Sequence, residues 1–194
     1  MNCFALQEIL ADDFQGLRDL QNLNIQRLTR IERFESKALV QINHLSSLSM
    51  ETWPQIENFS NQLCSLLANL NQLRILKLRV QDVVLDDQLL CVSNRKIRHL
   101  ELTGRKLKVI EKNAFSKFTK HPDLLLKISG TEIEELPSGI FSNMHHISYL
   151  SIDLRDNMLT YLSPEIFYGN ITTWKNVGTT LVTGECEHDV RHSR

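Results

Sequence analysis

Aliphatic residues recur at fixed offsets along the second half of the chain. Counted from Leu100, apolar residues lie at +2, +7, +10 and +15, and the same offsets recur from Leu126 and from Ile152. The steps from 100 to 126 and from 126 to 152 are both 26 residues. The first two aliphatics of each unit alternate with polar residues, which predicts a short half-buried strand. The later aliphatics and the phenylalanine at +15 are expected to fold back beneath that strand.

Looser copies of the same unit precede these three. Their leading residues are Leu23, Leu48 and Leu76, and the steps from 23 to 48, 48 to 76 and 76 to 100 are 25, 28 and 24 residues. Each leading residue follows another leucine by three positions, which is the signature of a leucine-rich repeat. Because one coil cannot bury its apolar side alone, we predict an α/β leucine-rich-repeat solenoid. Its curved parallel sheet would form the concave face, and irregular or short helical segments the convex side.

The repeat register also predicts the limits of the domain. Leu6, Ile9 and Phe14 have the mutual spacing of the second half of a unit, so the chain is expected to start in mid-repeat. Residues 1–184 would then form one solenoid of about six and a half repeats, and residues 185–194 a disordered polar tail. Natural solenoids begin with a capping unit. We therefore expect this chain to be a piece of a longer protein or an incomplete gene model.

One position of the repeat departs from the usual pattern. Five residues after the leading aliphatic, leucine-rich repeats place an asparagine whose amide bonds the backbone of the turn. Only Asn157 fits, so we expect an irregular stack with weaker bonding between turns. Leu150 offers a rival register in the last unit, two residues earlier, which would produce a local bulge. The six positions are Leu28, Trp53, Gln81, Arg105, Thr131 and Asn157.

Composition and charge narrow the class of partner. The 194 residues include 31 Leu and 15 Ile, whereas aromatic residues make up 7%, as expected when one aliphatic unit is used many times. The net charge of −1 excludes the strongly basic surface that nucleic acid selects. No run approaches the roughly 20 apolar residues that span a bilayer. The N-terminus lacks the basic start and apolar run of a signal peptide, which taken literally indicates a cytoplasmic chain.

Four segments carry a resemblance to a known family: LLLKISGT at 124–131, LPSGIF at 136–141, LSIDLRDN at 150–157 and FYGN at 167–170. Through them, residues 97–184 resemble the repeats of insect extracellular proteins of the chaoptin type, a photoreceptor adhesion family, and more distantly those of Toll-type receptor ectodomains. The resemblance implies a glycosylated extracellular or cell-surface module that binds a protein ligand or cell-surface partner, without catalysis. We predict no small-molecule substrate, and membrane association only through parts of the protein outside this chain. The alternative is an intracellular leucine-rich-repeat scaffold or enzyme regulator.

Residues that alternate with the buried aliphatics predict the concave surface. Both columns are polar, of mixed charge and without aromatics, so they form either an ordinary solvated sheet face or a protein-binding face. Because no aromatic anchor is present, contact with a partner is expected to depend on Arg79 and Arg155. The column between the aliphatics is Asn24, Ser49, Lys77, Glu101, Lys127 and Asp153, and the column after them is Gln26, Glu51, Arg79, Thr103, Ser129 and Arg155.

Two N-x-S/T sequons make Asn58 and Asn170 candidates for glycosylation, given the resemblance. Phe59, inside the first sequon, is expected in the core, which favours Asn170. Cys64 and Cys91 fall on the convex sides of neighbouring repeats. We expect buried thiols there, with a disulfide between adjacent coils as the alternative in a secreted protein.

Chemistry-bearing motifs are otherwise missing from the sequence. It contains no G-x-S-x-G, no H-E-x-x-H and no phosphate-binding glycine loop. Cys186, His188 and His192 are metal-ligand types, but the polar tail offers no fold that would hold them. We therefore predict no catalytic residue, no metal site and no cofactor.

Overall fold

A computed structural model describes residues 6–89, 96–118, 123–144, 147–167 and 178–183. Its strands are β1 (Glu8–Ile9), β2 (Asn22–Ile25), β3 (Arg33–Phe34), β4 (Ser47–Glu51), β5 (Ile75–Arg79), β6 (Val84–Leu85), β7 (His99–Gly104), β8 (Val109–Ile110), β9 (Asp123–Thr131), β10 (Tyr149–Asp153) and β11 (Gly178–Val182). Seven of them form one parallel sheet, in the order β11-β10-β9-β7-β5-β4-β2. The sheet order follows the chain order and neighbouring strands are parallel, so the chain winds in one direction as a leucine-rich-repeat solenoid, as predicted.

The pairing of the strands confirms the predicted register. Each leading aliphatic lies beside its equivalent in the next coil, through the whole series from β2 to β10. Leu150 pairs with Leu124 instead, so the rival register in the last unit is wrong. The residues that align in this row are Leu23, Leu48, Leu76, Leu100, Leu126 and Ile152.

The seventh strand, β11, is absent from the sequence-based prediction. Leu181 pairs with Ile152, 181 − 152 = 29 residues earlier, and packs partly buried against the core. The repeat pattern does not identify this strand because the position two residues after Leu181 holds Thr183 rather than an aliphatic residue. The sheet therefore continues, through backbone pairing, past the last coil that the aliphatic pattern identifies.

The return segments opposite the sheet differ from coil to coil. The 28-residue step from Leu48 to Leu76 contains the α-helix α1 (Phe59–Asn69), whose buried residues Phe59, Leu63, Leu66 and Leu67 recur at helical spacing. Other returns hold short 3-10 helices at Val40–Ile42, Ser142–Met144 and Pro164–Phe167. Two small parallel pairs, β1 with β3 and β6 with β8, link successive returns. This agrees with the predicted irregular or short helical convex side.

Among the described residues, no helix is both long and apolar enough to cross a bilayer, the longest having 11 residues.

The phenylalanines at +15 stack in a column inside the solenoid. The ring centroids of Phe115 and Phe141 are 5.7 Å apart, and those of Phe141 and Phe167 are 5.6 Å apart. Tilted rings at this separation contribute beyond the area they bury. The prediction that these residues fold back beneath the strands is confirmed, and the column joins three successive coils.

Two side chains, Asn157 and Glu51, form hydrogen bonds that link neighbouring coils. Asn157 donates from Nδ2 to the carbonyl oxygens of Leu154 and Ile128, both at 2.8 Å, so it bonds its own turn and the preceding coil. At the other end, the buried carboxylate of Glu51 accepts from the amide of Leu28 at 2.7 Å and from Nε2 of Gln81 at 3.2 Å. Glu51 thus links the coils on both sides, in a stretch where the usual asparagine is missing.

Candidate binding surface

The side of the sheet that faces away from the core presents three rows of side chains, which we call the open face. Parallel pairing places equivalent residues about 4.8 Å apart across the strands. The two predicted columns form the second and third rows. Strand pairing brings all members of the second row side by side, and in the third row it aligns Glu51, Arg79, Thr103 and Ser129. The first row lies one outward position earlier and comprises Asn22, Ser47, Ile75, His99, Leu125 and Ser151.

Three members of the predicted columns are buried rather than accessible. Glu51 is 4% exposed, Ser129 6% and Asp153 7%. Glu51 is covered because it bonds both neighbouring coils, and Asp153 because Arg155 folds over it. Ser129 directly precedes Gly130, where the pairing of β9 with β7 is irregular. These three members of the predicted columns are therefore not accessible to a partner, and the binding role of the columns stays a prediction. The remaining residues are half-buried or exposed: Asn24, Gln26, Ser49, Lys77, Arg79, Glu101, Thr103, Lys127 and Arg155.

Glu101 holds two ammonium groups in the centre of the open face. Its Oε2 lies 2.8 Å from Nζ of Lys77, and its Oε1 lies 3.3 Å from Nζ of Lys127. Burial works to raise the pKa of Glu101, but hydrogen bonds and charge from the two lysines outweigh it and leave the pKa lowered. One carboxylate is therefore paired with two ammonium groups, one on each of the flanking strands β5 and β9. The trio of Lys77, Glu101 and Lys127 has a net positive charge.

His99 lies next to this trio in the first row. Its Nε2 is buried, has no hydrogen-bond partner among the described residues and lies 3.9 Å from Oε2 of Glu101. Burial lowers the pKa of His99, Lys77 and Lys127 lower it further, and Glu101 partly opposes them. The imidazole is therefore neutral at pH 7.

Acidification is expected to destabilise the folded chain through His99. Its folded pKa lies below the ordinary value of 6.5, so the unfolded chain takes up protons first as the pH falls below 6.5. Stability therefore declines from 6.5 down to the folded pKa, by at most about 1.4 kcal/mol per pH unit. Urea unfolding at pH 7.5 and 5.5 should show a smaller loss for His99→Gln than for the native chain. Equal losses in the two proteins would contradict this assignment.

The two arginines of the third row have different partners. Arg155 donates to Asp153 through Nε at 2.9 Å and Nη2 at 2.7 Å, and these hydrogen bonds lower the pKa of Asp153. Arg79 is half-buried, and among the described residues no carboxylate lies within ion-pair distance of it. Of the two predicted contact residues, Arg79 is thus the one whose guanidinium has no anionic partner within the described chain.

Apolar side chains on the open face were missed by the sequence-based prediction. Ile75 is half-buried and Leu125 is 37% exposed, both in the first row, while Tyr149 is 49% exposed at the start of β10. The predicted columns begin after the leading aliphatic, and these residues precede it. Extending the strand alternation by one outward position would have found Ile75 and Leu125.

The sequon at Asn58 lies on the surface at the start of α1. Asn58 is exposed, has a left-handed backbone with φ of 55°, and makes no side-chain cap bond to the helix. Phe59 is 5% exposed, as expected for a core residue. Asn170 lies outside the described residues.

Cys64 is disulfide-bonded and half-buried, so the expectation of a buried free thiol is wrong for it. The buried face of α1 is occupied by its leucines, which leaves Cys64 on the flank of the helix. Its Sγ lies 3.4 Å from the carbonyl oxygen of Gln88 in the next coil. Cys91, its sequence-based candidate partner, lies outside the described residues, as do Cys186, His188 and His192. Within the described chain, no three His, Cys, Asp or Glu residues cluster as metal ligands would.

Two curated proteins are similar to this chain in sequence, although no family model matches it. Chaoptin of Tribolium castaneum is 29% identical over 142 residues, which cover 72% of this chain and 18% of chaoptin. Trophoblast glycoprotein of Macaca fascicularis is 37% identical over 75 residues, which cover 38% of this chain and 17% of that protein. The chain thus spans less than a fifth of the length of either relative.

Two solved structures are similar to this chain at low sequence identity. The crystal structure of human 5T4, or trophoblast glycoprotein, has a TM-score of 0.57 and 18% identity, covering 89% of this chain and 64% of that one. Toll in its complex with Spatzle from Drosophila has a TM-score of 0.49 and 12% identity, covering 92% of this chain and 28% of that one. The 5T4 likeness supports the fold assignment, and the sequence similarity to chaoptin agrees with the repeat pattern.

Proposed function

We propose that this leucine-rich-repeat solenoid, which is similar in sequence to chaoptin, is a non-catalytic protein-binding module of an extracellular or cell-surface adhesion or receptor protein. Its mechanism is recognition of a protein ligand or cell-surface partner by the open face. The aliphatic core serves as the scaffold that fixes the spacing of the face residues. Membrane association would come from parts of the protein beyond these residues.

The observation that carries the proposal is the open face itself. Adjacent parallel strands present an extended surface on which Arg79 lacks an anionic partner among the described residues and Leu125 is exposed. Extended sheet faces of this kind are the surfaces by which solenoids contact their partners. An arginine in a partly desolvated setting is a favoured anchor of protein interfaces.

The extracellular location is supported by Cys64. Structural disulfides form and persist in oxidising compartments and are rare in the cytosol. The disulfide bond of Cys64 therefore favours the secreted or cell-surface form over the cytoplasmic one. Exposure of Asn58 is compatible with a glycan on the convex side.

The alternative is an intracellular leucine-rich-repeat scaffold or enzyme regulator. It would use the same open face but would hold Cys64 as a thiol and leave both sequons bare. The two functions therefore predict different covalent states: a disulfide or a thiol at Cys64, and a glycan or a bare side chain at Asn58 and Asn170.

Expression behind a signal peptide in a secretory host tests the location. We expect a secreted chain with Cys64 in a disulfide and a mass shift on treatment with peptide N-glycosidase. The variants Asn58→Gln and Asn170→Gln assign the glycan, and the double variant serves as the unglycosylated control. A secreted chain that folds cooperatively with a free Cys64 thiol and no glycan at either asparagine would favour the intracellular alternative.

A further inference from the structure

We propose that the part of the open face formed by β5, β7 and β9 binds an acidic protein segment that also carries an apolar side chain. This inference rests on the proposed function and specifies the chemistry of the partner. The three strands contribute a block of three rows by three columns. Its rows are Ile75, His99 and Leu125, then Lys77, Glu101 and Lys127, then Arg79, Thr103 and Ser129.

The block has a positive charge within a chain that is slightly negative overall. It contains three cations and one carboxylate, so 3 − 1 gives +2, against −1 for the whole chain. Glu101 is already bonded on both oxygens to Lys77 and Lys127 and has a side chain only 15% exposed. The carboxylate therefore cannot neutralise Arg79, and a ligand carboxylate would supply the missing partner.

An apolar row borders these charges. Ile75 and Leu125 occupy its two ends, and the neutral imidazole of His99 lies between them. The row is about 10 Å across, since it spans two strand spacings. A partner side chain such as leucine or phenylalanine would remove the exposed surface of Leu125 from water.

The two features lie within reach of one short segment. Ile75 and Arg79 are four residues apart on β5, or about 13 Å. A segment in extended conformation covers the same length in about four residues. An acidic side chain roughly three to five residues from an apolar one can therefore contact both features together.

The same observations disfavour a sulfated polysaccharide as the partner. Polyanions are held by many clustered cations, whereas this block has a surplus of two and places a carboxylate at its centre. A sulfated sugar would also offer no apolar surface to cover the exposed side chain of Leu125.

Selection from a phage library of random dodecapeptides on the immobilised 194-residue chain tests the inference. We expect the enriched peptides to combine Asp or Glu with an apolar residue at the spacing given above. A synthetic peptide of the consensus should bind Arg79→Gln and Leu125→Lys about tenfold more weakly or worse. Lys112→Gln changes an exposed lysine outside the open face and should bind as the native chain does. Selection repeated on Arg79→Glu should enrich Lys or Arg in place of the acidic residue.

Four other results of these binding experiments would each refute the inference. Peptides that lack an acidic residue but lose binding in Leu125→Lys would refute the partner chemistry while leaving the open face as a binding surface. Peptides unaffected by both open-face variants would count against the proposed function as well. Heparin binding that depends on Arg79 and displaces the peptide would make a polyanion the partner, and no enrichment on the native chain would also refute the inference. Thermal unfolding of every variant separates loss of binding from loss of the fold.

Discussion

Replacing Gly104 by alanine is expected to destabilise the chain by about 3 to 5 kcal/mol. Gly104 has φ of +145°, a region that L-residues rarely adopt, so any side chain strains the backbone. A Cβ atom would also overlap the carbonyl oxygen of Val80 and lie 3.0 Å from its carbonyl carbon. Both atoms belong to the backbone after β5 and cannot rotate away. Urea unfolding of Gly104→Ala against the native chain measures the loss.

Gly130→Ala is the matched control for this substitution. Gly130 also has positive φ, at +64°, but a Cβ there would meet no atom within 4 Å. The control therefore retains the backbone cost of about 1 kcal/mol and removes the steric one. If the two variants are destabilised equally, close approach of β5 to β7 is not what requires glycine at 104.

Replacing Phe141 by alanine should cost about 3 to 5 kcal/mol. Phe141 is fully buried between Phe115 and Phe167, with which it makes the column of rings that spans three coils. Truncation removes contacts with both neighbours and leaves a cavity that the rigid strands cannot close. Because stability in a solenoid depends on contacts between adjacent repeats, the unfolding transition should also broaden.

Phe141→Leu provides the comparison for this prediction. Leucine fills much of the cavity and keeps the site apolar, so we expect a loss of about 1 to 2 kcal/mol and a transition as sharp as that of the native chain. Denaturant unfolding followed by circular dichroism measures both quantities. A cost below about 1 kcal/mol for Phe141→Ala would show that the column does not couple the coils.

The repeat offsets predict the scaffold because buried aliphatics must align across the coils. That requirement places Leu100, Leu126 and Ile152 in one row, and the pairing of the strands follows it. The strand β11 was not predicted because it is identified by its backbone pairing with β10. Only Leu181 of this strand keeps the aliphatic pattern of the repeat.

The candidate site is less predictable because accessibility depends on neighbours in space. Alternation places Glu51 and Asp153 on the outward side of their strands, yet each is buried by its own hydrogen bonds. The two predicted contact arginines are alike in sequence position, but only Arg155 has a carboxylate two residues earlier that it can bind.

Binding of fluorescent tetramers of the secreted chain to a panel of cultured animal cells tests the central claim most directly. The claim is that the open face, rather than the return segments, contacts the partner. We predict that the native chain and Lys112→Glu stain the same cells, and that a folded Arg79→Glu/Leu125→Lys variant loses that staining. Undiminished staining by the open-face variant, or its loss in Lys112→Glu alone, would contradict the claim.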